Sequence, residues 1–188
     1  MNLKELVIHN RSFRRFAQVP RPSRMVLEEL VATARLAASG GNLQPLRYWL
    51  VDTPEACASV FPLTRWAGLL KDWNPAPSEG PTAYILVLAA KGGATPQVDA
   101  GIAMQTLLLA ATELGLGGCM LGAIDRPAIK STLGIPGDLE LLYVVGLGKP
   151  AERCVLEDAT DGRTGYYRTP DDVHHVPKLP LATLIANP

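Results

Sequence analysis

Net charge is the first thing this chain lacks, since 188 residues carry eighteen Lys and Arg against eighteen Asp and Glu. No overall field draws it to nucleic acid, an anionic membrane surface or an acidic partner, so any anion site must be local. Cysteine is scarce as well. Cys57, Cys119 and Cys154 are odd in number and widely spaced, which fits neither a disulfide framework nor a zinc knuckle and points to a reducing compartment. The longest apolar run, Ala100 to Thr112, stops at Asp99 and Glu113 and falls short of the roughly 20 residues of a membrane span. The start of the chain carries Lys4 and Glu5 and lacks the apolar core of a secretory signal. A soluble cytoplasmic protein is expected, with neither membrane nor nucleic acid as partner.

Catalytic signatures are missing too. There is no G-x-S-x-G, and His9, His174 and His175 are the only imidazoles. Gly115-Leu116-Gly117 begins like a dinucleotide fingerprint, yet Met120 stands where the third glycine belongs and the glycines follow a helical segment instead of opening one. Gly146-Leu147-Gly148-Lys149 lacks the first glycine of a P-loop and runs into Pro150. His174 and His175 are adjacent and point apart in an extended segment, so no metal site is assigned. A chain with a pocket but no acid, base or nucleophile is what a cofactor-dependent protein looks like.

What is present begins with 47% hydrophobic content, enough for one globular domain over residues 1–188 that buries its core without staples. Leu3, Leu6 and Val7 predict a helix over Asn2 to His9, and Ser23 caps a second helix whose apolar face runs from Val26 to Ala38. Strands are expected at Tyr48 to Val51, Ala83 to Ala90, Cys119 to Ala123 and Leu141 to Leu147, the second covered on both faces. Asp99 to Leu114 is apolar all round, which calls for burial on every side and gives a reason to expect a dimer. Pro62 to Pro81, with Trp66 and Trp73, reads either as a lid over a ligand or as a surface loop anchored by tryptophans. The stretch 151–188 is too long for a connection. It is either disordered or docked, and its apolar anchors Tyr166, Tyr167, Val173 and Val176 favour an extension packing on a partner subunit.

Two turns carry the functional content. Asn10-Arg11-Ser12-Phe13-Arg14-Arg15-Phe16 offers guanidinium forks and a hydroxyl suited to phosphate. Ser39-Gly40-Gly41-Asn42-Leu43-Gln44-Pro45 offers close main-chain approach and amides that can read a donor/acceptor ring edge. Taken singly, the first is also a solvated basic turn and the second a helix C-cap.

In order and spacing the two turns resemble the flavin-dependent nitroreductase family, whose first motif is R-R-S-x-R-x-F and whose second reads like A-P-S-S-x-N-x-Q-P. Asp99-Ala100-Gly101-Ile102-Ala103-Met104-Gln105, Leu114-Gly115-Leu116-Gly117 and Val144-Val145-Gly146-Leu147-Gly148-Lys149-Pro150 extend the likeness. Asn10 replaces the family's first Arg, and Ala38 its usual Pro. The resemblance implies an α+β, three-layer α/β/α fold with a mixed, mainly antiparallel central sheet, working as a homodimer on FMN. It implies that Arg11, Ser12 and Arg14 contact the cofactor along its phosphate, ribityl chain and pyrimidine edge, with Arg14 nearest N1 and O2. Ser39, Gly40, Asn42 and Gln44 would come from the partner or line the rim, and Leu121 and Gly122 would aim main-chain groups at N5. A late cation for the phosphate is sought among Arg168, Lys149 and Arg153. The implied reaction is ping-pong, NAD(P)H reducing the flavin and a small-molecule acceptor such as a nitroaromatic or quinone reoxidising it. A reductase or dehydrogenase for a dedicated metabolite, a flavin-binding sensor or storage protein, and a cofactor-free interaction module remain as alternatives.

Overall fold

The computed structural model describes residues 1–71, 73–90 and 96–186. Helix α1 (Leu3–His9) opens on a reciprocal cap in which Asn2 accepts the Glu5 N–H and Glu5 accepts the Asn2 N–H. It hands the chain through the basic turn to β1 (Phe16–Ala17). Helix α2 (Arg24–Ala34) starts on Ser23 as its sequence predicts. It stops four residues short of Ala38, because the N–H groups of Leu36 and Ala37 fold back to Thr33 and Ala34, both at 3.1 Å, tightening the last turn.

The central sheet is built from β2 (Leu46–Val51), β3 (Ala83–Ala90), β4 (Gly117–Leu121) and β5 (Leu139–Pro150). Val144 pairs with Leu86 of β3 and also with Leu121 of β4, which places β5 between them. β2 lies outside β3, and β1 extends the sheet at the end of β5. These strand pairs are all antiparallel; parallel pairing enters beside them through the single bridge Ser12–Gly118.

Strand β3 is buried on both faces, as its unbroken apolar run requires. Ile85 and Val87 meet Leu27 and Leu30 of α2 and Ala103 and Leu107 of α4 (Pro96–Glu113). On the opposite face Tyr84 and Leu86 meet Val60 of α3 (Pro54–Val60), Ile129 of α5 (Arg126–Leu133) and Trp66. Helices on both sides of one sheet make the three-layer α+β architecture.

The extension forms a second, smaller sheet. β8 (His174–Lys178) lies parallel to β6 (Cys154–Asp158) and antiparallel to β7 (Tyr167–Arg168), before the short α6 (Leu181–Leu184). This sheet is tied to its own chain through His174, Arg168 and Tyr166. In the segment 62–81, Trp66 is buried in the second core and donates its indole N–H to Thr64 Oγ1 at 2.9 Å. The N–H of Leu69 donates to Tyr166 Oη at 3.2 Å, joining that segment to the extension.

Candidate functional site

Helix α4 organises both turns. At its start Asp99 is buried and accepts Ser39 Oγ–H at 2.8 Å and the Gly40 N–H at 3.0 Å. Ser39 Oγ in turn accepts the N–H of Gln44 at 3.0 Å. Held this way, the turn carries Gly41, Asn42 and Gln44 in the left-handed region, with φ of 55°, 54° and 47°. Asn and Gln adopt that region at a cost, so Asp99 and Ser39 over-determine the backbone there. Six and nine residues later, about 9 and 14 Å along the axis, Gln105 and Leu108 reach the other turn.

That second station is a cavity of about 360 Å³, whose walls include Arg11, Ser12 and Arg14, Met120 of β4, and Tyr166, His174 and Lys178 of the extension. β4 brings Met120 to the cavity and sends Leu121 into the opposite core, since successive strand residues face opposite sides. The basic turn approaches because Gly117 has no side chain, a Cβ there lying 2.4 Å from Phe13 Cδ2, and β5 and α4 approach β4 because Gly118 has none. A Cβ there would lie 2.6 Å from the Gly146 carbonyl and from Leu108 Cδ2, while Phe13 N–H donates to the Gly118 carbonyl at 3.0 Å.

Charges in the turn are individually tethered. Glu152, its side chain 1% exposed, accepts the main-chain N–H groups of Arg14 and Arg15 and pairs with Arg168. Arg14 is buried, donates from Nη1 to the Ser12 carbonyl at 3.1 Å and to His174 Nε2 at 3.0 Å, and lies 4.7 Å from the Tyr166 ring centroid. Burial holds His174 neutral by pushing its pKa down to about 4, helped by the Arg14 and Arg168 charges. Burial likewise lowers the pKa of Arg11, with Cys154 partly offsetting it. Arg11 also donates to the Val7 carbonyl, while its Nε is buried without a partner among the described residues.

The structure thus brings Arg11, Ser12 and Arg14 together and leaves other expected residues elsewhere. Ser39 and Gln44 line a separate hollow of about 140 Å³, and Gly40 and Asn42 belong to the same turn. Leu121 can contribute only through its main chain, and Gly122 is exposed beside Tyr143. Arg168 is engaged by Glu152 and Asp172, lies 4.5 Å from the Trp73 ring centroid, and pairs in the small sheet with His174 without itself lining the cavity. Lys149 lies in β5 opposite Ala17, and Arg153 lines a neighbouring hollow. The late cation at the cavity is Lys178, absent from the sequence expectation. His174, Val176 and Lys178 share the i, i+2, i+4 spacing of one strand face. That period was the available signal, whereas Asp99 and Glu152 carry no local signal of their role.

Comparison with known proteins agrees with this architecture. A family model described as the Nitroreductase family matches residues 8–149. The iodotyrosine deiodinase of Drosophila melanogaster is 25% identical, over 83% of this chain and 65% of the deiodinase, so the chain spans about two thirds of that relative's length. A nitroreductase family protein of Clostridium difficile 630 superposes with a TM-score of 0.67 at 20% identity, covering 99% of this chain and 98% of its own. A substituted form of the FMN and NADPH-dependent nitroreductase of Sphigopyxis sp. strain HMH gives a TM-score of 0.65 at 20% identity, covering 80% and 89%. With three quarters of its length matched by that model, and the two turns set at successive stations along one central helix, this chain belongs to the nitroreductase family.

Proposed function

We propose that this chain is an FMN-dependent NAD(P)H oxidoreductase that works as a homodimer. The observation that carries the reading is the 360 Å³ cavity in which Arg11, Ser12, Arg14 and Lys178 converge over an apolar floor of Leu108 and Met120. Its volume lies at the lower end of the about 300–1,000 Å³ typical of ligand pockets. The donor set fits the group: three cations and a hydroxyl suit a phosphate, and the amides of Asn10 and Gln105 suit a polar chain or ring edge. Asn10 supplies an amide where the family has a cation, and Lys178 restores a positive charge to the same cavity.

FMN, when bound, supplies two-electron exchange between NAD(P)H and a second acceptor such as a nitroaromatic or quinone. Arg11, Ser12 and Lys178 hold the phosphate. Arg14 would hold a fixed positive charge toward the pyrimidine edge, where reduction adds negative charge, and would so favour the reduced form. In a homodimer the turn held by Asp99 would present Asn42 and Gln44 to the partner subunit's site, and main-chain groups of Leu121 and Gly122 would serve the reacting edge. No side chain need act as general acid, because the reduced flavin and water can supply the protons.

Dimerisation is supported by the apolar surface that one chain leaves uncovered on adjacent helices. Leu3, Val7 and Ile8 of α1 and Val98 and Ile102 of α4 are exposed, and α1 and α4 touch. The likeness to iodotyrosine deiodinase supports a second reading, a reductase for one dedicated small molecule. The test is the visible spectrum of protein mixed with FMN and desalted, followed by anaerobic NADH and NADPH. Retained flavin that bleaches is expected; a colourless protein overturns the proposal. Comparing nitroaromatics with halogenated phenols as oxidants separates the two readings.

A further inference from the structure

We propose that His174 is a positioning residue, whose Nε2 fixes the Arg14 guanidinium so that only Nε and Nη2 remain for a ligand; this rests on reading the cavity as the flavin site. Nη1 of an arginine carries two N–H groups. The Ser12 carbonyl takes one at 3.1 Å and His174 Nε2 the other at 3.0 Å. Arginine stays protonated and cannot accept, so Nε2 must be the acceptor and the imidazole proton must sit on Nδ1. Among the described residues nothing accepts from Arg14 Nε or Nη2.

Three further observations agree with that role. His174 is 1% exposed and its Nδ1 has no partner among the described residues. An unpaired buried donor is costly, and a phenyl ring would fill the space without it, so the retained function is the acceptor on the other side of the ring. Burial keeps the imidazole neutral, the form that can accept. Finally, Tyr166 packs against the guanidinium face 4.7 Å away and touches His174 with ring centroids 5.2 Å apart, so plane and edge of Arg14 are both constrained. His175 is used differently: it faces away to stack on Tyr167 and pairs with Glu157 at 2.8 Å.

Two measurements test the assignment. In the ligand-free protein, imidazole nitrogen NMR should find His174 neutral with the proton on Nδ1 down to below about pH 5, and Arg14→Ala should raise its pKa. A wild-type His174 that titrates near the ordinary histidine value, or one indifferent to Arg14→Ala, overturns the proposal. The second measurement is a double-mutant cycle on FMN affinity, read by flavin fluorescence. His174→Phe should weaken binding about tenfold in the wild type and hardly at all in the Arg14→Ala background. His174→Gln, which restores an acceptor, should recover most of the loss. Equal losses in both backgrounds would assign His174 to general structure and overturn the proposal. Wild-type protein that binds no FMN would sink the flavin reading instead, and the NMR measurement would still decide the His174–Arg14 bond.

Discussion

Asp99 has both carboxylate oxygens committed, one to Ser39 Oγ and one to the Gly40 N–H. Asp99→Ala removes both acceptors and leaves a hydroxyl and an amide unpaired in a part-buried site. An expected loss of about 2 kcal/mol follows, to be read from the urea midpoint at unchanged slope. Arg14 is held at Nη1 by the Ser12 carbonyl and His174 and on one face by Tyr166, which leaves Nε and Nη2 for the proposed ligand. Arg14→Ala should weaken FMN binding roughly 10- to 100-fold, as expected for a charge-assisted hydrogen bond, and slow flavin reduction by NAD(P)H. Fluorescence titration and stopped-flow absorbance check both, and wild-type values would remove Arg14 from the site. The sequence singles out Arg14 through its spacing from Arg11 and Ser12. It cannot single out Glu152, which reaches the Arg14 N–H from 138 residues away.

Helix α4 and strand β4 approach closely because of Gly118. Gly118→Ala would force a Cβ within 2.6 Å of the Gly146 carbonyl, which is main chain and cannot rotate aside. Overpacking of this kind costs about 1–3 kcal/mol. The basic turn also hangs on Gly118 through Phe13, so FMN affinity should fall together with stability, whereas Gly137→Ala, which meets no atom within 4 Å, should change neither. Element positions were largely legible: α1, β3 and the Ser23 cap fall where periodicity and capping put them. The end of α2 was not, because Leu36, Ala37 and Ala38 look helical, whereas the chain tightens back on Thr33 and Ala34 and is then tethered by Asp99 at Ser39 and Gly40. Nor was the small sheet, whose parallel pair β6 and β8 joins residues 20 apart in sequence, beyond any local pattern.

At the scale of the molecule, α4 is apolar all round, yet within one chain Val98 and Ile102 stay 63% and 39% exposed. A second copy is the cover proposed for them. Ile102→Asp should convert a species of twice 20.1 kDa to one of 20.1 kDa in sedimentation and abolish FMN retention, since charge at an apolar interface opposes association. An unchanged mass would reject α4 as the dimer surface. His174 also gives the whole fold a pH dependence. Its folded pKa of about 4 lies below the ordinary 6.5, so on acidification the unfolded chain takes up a proton that the folded one refuses. Stability from this residue is therefore fully present above about pH 6.5 and is lost as pH falls toward 4. Urea midpoints at pH 7.5 and 5 should show that decline, and His174→Phe should lack it.

By itself the sequence determined the elements and their chemistry: a doubly covered central strand, two N-terminal helices, the second with its Ser23 cap, one basic and one amide-rich turn, and zero net charge that confines any anion site to a few side chains. These follow from local rules, the period of apolar residues and the conformations Gly, Pro, Ser and Asn favour. Tertiary structure decided which side chains share a cavity. It took Arg168 out through its pairing with buried Glu152, brought Lys178 in by strand alternation in β8, and set His174 against Arg14. Those outcomes depend on contacts between residues 16 to 160 positions apart, and no local pattern encodes which partner a buried charge will find.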